Sequence, residues 1–222
     1  MRAGVRSALA LCGLVVLALA GCARPLTPNE RAFASDVIGP SLDLDKVRVT
    51  RDLGLRPLPP KGSQAPRLLP VDAPPLKGFC DRLEPQSQAG PPPAFALYDR
   101  VHVADEFYRP DLAPGWPRAA LLPEALILAH ELVHVWQWQN RARTGYSPAR
   151  AAFEGFARFD PYFYVPRGRS PFEGFGYEQQ AALLEDYVCY ALYDPGNPRR
   201  ADLRAILGGH FPLGRLDSAV GQ

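Results

Sequence analysis

Histidine is scarce in this chain, four residues among 222, and that scarcity gives weight to the place where two of them stand close together. Cysteine is equally rare. Cys80 and Cys189, the two in the body of the chain, have no second cysteine or histidine at ligand spacing, which argues against a zinc site made of thiolates. Charge of one sign is also lacking: the net charge is +2, with acids and bases interspersed. Without a basic stripe to meet phosphates, nucleic acid is not an expected partner. Tandem repeats are absent, since Phe-Glu-Gly-Phe recurs at Phe153 and Phe172 in flanks that do not match. Proline is the abundance, with 25 residues, and it crowds the stretch from 52 to 93. That stretch reads as a long surface excursion with at most a turn of helix near Phe79 to Leu83.

The amino terminus does not belong to the fold. Arg2 and Arg6 precede an apolar run from Leu9 to Ala20, and the run stops at Leu19-Ala20-Gly21-Cys22. This ending is similar to a bacterial lipobox. The resemblance implies a lipoprotein signal peptide over residues 1–21, a lipid on Cys22, and attachment to a membrane of the cell envelope. Ala23 follows the cysteine where an inner-membrane retention signal would place Asp, which points to the periplasmic side of the outer membrane in a Gram-negative host. An ordinary secretory signal cut near Ala20, or an uncleaved anchor helix, are the alternatives. Residues 22–28 then form a tether, and 29–222 a single domain of roughly 200 residues with a core of its own. In an oxidising compartment Cys80 and Cys189 either pair as a disulfide or remain two buried thiols.

Periodicity outlines the domain. A short helix is expected from Asn29 to Ile38, and a half-buried strand at Lys46 to Arg51. Ala94 to Val103 reads as one strand, or as two joined at Tyr98-Asp99-Arg100. Ala104 to Leu121 reads as a loop, Arg150 to Arg158 as a short helix, and Tyr162 to Val165 as a strand. A strong helix spans Tyr177 to Tyr193, stopped by Asp194-Pro195-Gly196, and a last one spans Pro198 to Leu207 before a glycine-rich tail. The fold class is therefore α+β: a small mixed sheet packed against two long helices.

The first of those helices carries the chemistry. Pro123 and Glu124 suit a helix start, and Ala125 to Trp138 contains no proline or glycine. Its apolar residues cover more than half of the circumference, so it should be buried. Within it stands His130-Glu131-Leu132-Val133-His134. Histidines four apart lie on one helical face and can reach a single Zn²⁺, with Glu131 beside them as a general base for water. A core helix with two hydrogen-bonded histidines is the bland alternative. It leaves a glutamate in an apolar helix without a compensating charge. A catalytic zinc needs a third protein ligand. Glu178, Glu185, Asp186, Glu173, Glu154, His102 and His210 are the candidates, and Glu178 is favoured over Glu185 because Ala181 and Ala182 let its helix approach closely.

The run His130-Glu131-Leu132-Val133-His134-Val135-Trp136-Gln137, followed by Tyr177-Glu178-Gln179-Gln180-Ala181 and by Asp186-Tyr187, resembles the gluzincin metallopeptidases. More narrowly it looks like bacterial zincin-like domains of the DUF4157 kind. The resemblance extends over Ala94 to Tyr190. It implies a zincin-like fold, Zn²⁺ held by His130, His134 and Glu178, Glu131 as the base, and hydrolysis of a peptide or protein substrate. It also implies a strand running along the cleft ahead of the metal helix, and a Tyr or His that stabilises the oxyanion, for which Tyr177, Tyr187, Tyr190 and His210 are available. The departure is Ala182, where thermolysin-like members carry Asp; Asp186 is then the acid placed to support a histidine ligand. Two functions follow as expectations: a membrane-tethered zinc peptidase, or a catalytically silent zincin-like lipoprotein that uses zinc to stabilise a binding module.

Overall fold

The computed structural model describes residues 23–51, 66–86, 92–165 and 170–221. The expected signal peptide, the expected lipidation at Cys22 and residues 52–65 and 87–91 of the proline-rich excursion lie outside them. In chain order the elements are β1 (Arg24–Pro25), α1 (Pro28–Val37), β2 (Arg48–Arg51), β3 (Arg67–Pro70), β4 (Ala94–Leu97), β5 (Arg100–Val103) and β6 (Ala119–Leu122). The helices α2 (Glu124–Gln139), α3 (Arg141–Thr144), α4 (Pro148–Ala157), α5 (Tyr177–Tyr193), α6 (Pro198–Leu207) and α7 (Leu213–Ala219) follow. The fold is α+β. Among the described residues no helix is long and apolar enough to cross a membrane.

The main sheet is mixed, in the order β1-β2-β5-β4. β2 runs parallel to β5 with Val49 opposite Val101, and β4 folds back antiparallel on β5. The turn between β4 and β5 is made at Tyr98, whose φ of 57° lies in the left-handed region. Val49, Val101 and Val103 are fully buried, and the sheet meets α2 through β4 and β5. Among the described residues β4 has a strand partner on one side only, and its other edge carries none.

α2 is buried nearly all round, as its composition requires. One side rests on β4, β5 and β6, and the other packs along α5. Ala125 and Ala129 on α2 and Ala181 and Ala182 on α5 have no more than 1 % exposure, and such small side chains allow the two helices to come close. Leu128, Leu132, Trp136, Leu183 and Leu184 fill the space around them, each contributing about 1.5–3 kcal/mol by leaving water.

Several segments differ from their sequence reading. The residues read as a tether join the fold: Arg24 and Pro25 pair with β2, and Thr27 caps α1 in a capping box with Glu30. The excursion supplies β3, which pairs with β6 through Leu68 opposite Leu121, and residues 119–122 are therefore strand, not loop. Such four-residue edge pairs carry too little alternation to be recognised alone. Residues 162–165 are irregular. Asp160 Oδ1 accepts from the backbone N–H groups of Tyr162 and Phe163, and Gln179 donates to the Phe163 carbonyl, so side chains satisfy groups that a strand partner would otherwise take. α7 was hidden in the tail by its seven-residue length.

Glu30 shows how firmly the amino-terminal segment is held. Its fully buried carboxylate accepts from both terminal nitrogens of Arg24 at 2.7 Å and from the backbone N–H of Thr27 and of Leu112 at 2.8 Å. Glu30→Gln replaces one acceptor oxygen by an NH₂ group facing donors. We expect it to lower the unfolding free energy by about 3 kcal/mol in urea titrations. A loss below about 1 kcal/mol would mean that water replaces those bonds.

Candidate metal site and its cleft

α2 presents His130 and His134 one turn apart on the same face, with ring centroids 5.0 Å apart. Their Nε2 atoms stand 3.3 Å from each other. Glu178, in the first turn of α5, brings Oε2 to 3.2 Å from His130 Nε2 and 3.1 Å from His134 Nε2. The three ligand atoms lie within 4.8 Å of one another, and the group can hold a metal ion.

The far side of each imidazole fixes what its near side offers. His130 Nδ1 is 2.9 Å from Glu185 Oε2, and His134 Nδ1 is 2.9 Å from Gln137 Oε1. The Gln137 amide nitrogen already donates to Gln180 Oε1 at 2.9 Å and to the Tyr177 carbonyl at 3.2 Å. Both partners are therefore acceptors and both Nδ1 atoms donate. In the neutral rings the two Nε2 atoms are bare lone pairs, and they meet the Glu178 oxygen at one point. Three converging acceptors need a cation between them. Two imidazoles and a carboxylate are also a donor set that suits zinc.

Electrostatics point the same way. Burial works against charge on His130 and His134, yet hydrogen bonds and charge from Glu178, with Glu185 acting on His130, prevail and raise both, His130 to about 10. Burial likewise works against the Glu178 anion, but the two histidines hold it far below the usual carboxylate range. Without a metal the site keeps protons where a cation would sit. Glu131 is different. Burial raises it to about 7 against the pull of the two histidines, and its Oε2 is buried with no hydrogen-bond partner among the described residues.

Glu131, His134 and Glu178 lie at the floor of a cleft of about 650 Å³. Phe95 and Leu97 of β4 form one wall, and Ala151 of α4 with Phe159 and Tyr162 forms the other. The hairpin strand thus runs along the cleft. Tyr146 and Tyr162 flank the metal site, their rings 6.0 Å from His134 and 5.4 Å from His130. Burial, with the negative charge of Glu178 and Glu131, raises both phenols, so they stay protonated donors at neutral pH.

The remaining candidates are engaged elsewhere. Glu185 contacts His130 from behind, through Nδ1. Asp186 bonds Arg82 and the Tyr164 hydroxyl, so the support expected of Asp186 comes directly from its neighbour Glu185. Glu154 accepts from the Tyr177 backbone, Glu173 pairs with His210, and His102 stacks on Phe95 at 4.6 Å within the sheet. Among the phenols proposed for an oxyanion, Tyr187 bonds Asp217, Tyr190 bonds Asp81, and Tyr177 reaches the Thr144 carbonyl. His210 is held between Glu173 and Phe172. Tyr146 and Tyr162 stand in loops and escaped the sequence reading. Gln137, three residues past His134 on α2, stands in the run that carries the resemblance, but the sequence reading assigned it no role.

No family model matches the chain, and no curated protein matches it. Among solved structures the chain is similar to the effector domain of Pseudomonas aeruginosa VgrG2b, with 20% sequence identity and a TM-score of 0.49, covering 94% of this chain and 97% of that one.

Proposed function

We propose that this protein is a gluzincin-like, zinc-dependent peptidase, exported and tethered to an envelope membrane through a lipid on Cys22. The observation that carries the reading is the convergence of His130 Nε2, His134 Nε2 and Glu178 Oε2 beside the unpartnered Glu131 oxygen, on the floor of one open cleft. A zinc ion held by these three side chains supplies Lewis-acid chemistry, activating water and polarising a carbonyl. Everything else falls to the chain. The outer edge of β4 offers backbone groups to an extended peptide, which adds as a further strand and lies across the floor. Glu131 takes the proton of the attacking water and delivers it to the departing amine. Tyr146 and Tyr162 offer phenolic hydrogens to the oxygen that gains charge. Glu185 and Gln137 hold the imidazoles in one tautomer while this happens.

Elemental analysis of the mature chain, beside His134→Ala and Glu178→Gln, tests the reading. About one zinc per chain is expected, lost in His134→Ala and strongly reduced in Glu178→Gln, with cleavage products of a peptide mixture seen by mass spectrometry only for the zinc-loaded parent. A parent that takes up no zinc after reconstitution sinks the proposal. Zinc without cleavage would leave the silent binding module.

A further inference from the structure

The segment from Leu76 to Arg82 has almost no regular structure, yet it is clasped along α5. The Leu76 N–H donates to the Tyr193 carbonyl at 2.6 Å, and the Phe79 ring meets Tyr193 edge-on at 6.1 Å. Cys80 is bonded to Cys189, with Cα atoms 5.7 Å apart. Asp81 accepts from the Tyr190 hydroxyl at 2.8 Å and from Asn197 at 3.2 Å. The strap then ends on Arg82, whose Nη2 lies 3.3 Å from Asp186 Oδ1 and 3.8 Å from Glu185 Oε1. The other Glu185 oxygen is the one that accepts from His130 Nδ1.

We infer that this strap is a positioning element of the metal site: Arg82, locked onto α5 by the Cys80–Cys189 bond, fixes Glu185 as the acceptor that orients His130. The inference rests on the metal reading above. Glu185 and Asp186 are adjacent carboxylates, with side chains 24 % and 7 % exposed, and they repel each other. Arg82 bridges both, while Tyr164 donates to the remaining Asp186 oxygen at 2.6 Å. Remove the guanidinium and the repulsion is uncompensated. Glu185, the more exposed of the pair, can relieve it by swinging to water, and that motion strips His130 Nδ1 of its acceptor. The ring is then free to rotate or to change tautomer, either of which takes the Nε2 lone pair away from the metal. Cys80 stands two residues before Arg82, and Cys189 one helical turn after Glu185. The covalent link therefore sets the height of the guanidinium on the helix face.

The test is zinc affinity of the mature chain, measured by competition with a chromophoric chelator, for the parent, Arg82→Met, Arg82→Lys and the double variant Cys80→Ser/Cys189→Ser. Arg82→Met should weaken binding about 10–100-fold, the range for partners behind a ligand. Arg82→Lys should stay within about threefold of the parent, because it restores the charge, and the double serine variant should fall between them. Nitrogen-15 NMR of the metal-free chain reads the mechanism directly. The parent should show a His130 Nδ1–H held in a hydrogen bond to Glu185 and slow to exchange with water, and Arg82→Met an Nδ1–H that exchanges rapidly. Arg82→Met binding within about twofold of the parent, or an equal loss in Arg82→Met and Arg82→Lys, would overturn the inference in favour of a packing role. If Arg82→Met does not fold, Arg82→Gln is read by the same criteria. A parent that binds no zinc defeats the peptidase reading instead, and the His130 NMR signal still decides for or against Arg82.

Discussion

Glu131→Gln is expected to lower kcat/KM for peptide hydrolysis on the order of 10²–10⁴-fold, the usual worth of a positioned general base, while the zinc content stays at the parent's level. The side chain keeps its volume and leaves His130, His134 and Glu178 untouched, so binding and turnover separate. The same substitution carries a signed prediction for the metal-free protein. Burial raises the folded-state pKa of Glu131 from 4.5 to about 7. The folded chain therefore holds a proton that the unfolded chain releases between those values. Its contribution to stability is fully present below about pH 4.5 and is lost as pH rises through 7. A neutral glutamine escapes that loss. Metal-free Glu131→Gln should match the parent near pH 4 and exceed it by roughly 3 kcal/mol above pH 8, as read in denaturant melts across pH. An unchanged cleavage rate would remove Glu131 from catalysis. An unchanged stability difference across pH would mean that water reaches its carboxylate.

What the sequence disclosed about this site follows the range of the forces involved. The pairing of His130 with His134 depends only on the 3.6-residue turn, which is local, and so it could be read without any fold. The same holds for α5, whose limits at Tyr177 and Tyr193 are set by Gly176 before and Asp194-Pro195 after. The choice between Glu178 and Glu185 is another matter. The two are about two turns apart on one face of α5, and both reach His130, from opposite ring nitrogens. Which becomes a ligand depends on how α5 crosses α2, and that is decided by alanines and leucines packing between the helices. Tyr146, Tyr162 and Arg82 come from segments without periodicity, and only the finished fold brings them to the site. β1, β3 and β6 lie outside the sequence reading for a related reason, whereas β2, β4 and β5 were read from their alternation. Short strands without clear alternation acquire their identity from a partner distant in the chain.

Removing the Cys80–Cys189 bond with serine at both positions is expected to cost about 4–5 kcal/mol and to lower the melting temperature by roughly 10 °C or more. The size follows from the loop the bond closes. The two cysteines are 109 residues apart in sequence, and in the chain-entropy account a loop of that length restricts the unfolded ensemble by roughly 4.7 kcal/mol at 25 °C. The loss should be uneven. α2 and α5 are buried against each other and keep their packing, whereas the strap keeps only non-covalent contacts, its hydrogen bonds to Tyr193, Asp194, Tyr190 and Asn197, the Phe79–Tyr193 ring contact and the Arg82 ion pairs. Hydrogen exchange should therefore become fastest at the amides of Leu76, Phe79 and Asp81, which open locally, while α2 exchanges only through global unfolding. If the strap acts on the metal site through Arg82, added zinc should recover part of that protection, because a bound cation favours the arrangement in which Glu185 meets His130. Equal melting temperatures for parent and variant would mean that the unfolded chain is already compact around these cysteines. Strap amides that exchange no faster than those of α2 would mean that the bond supports the whole core, and not this one segment.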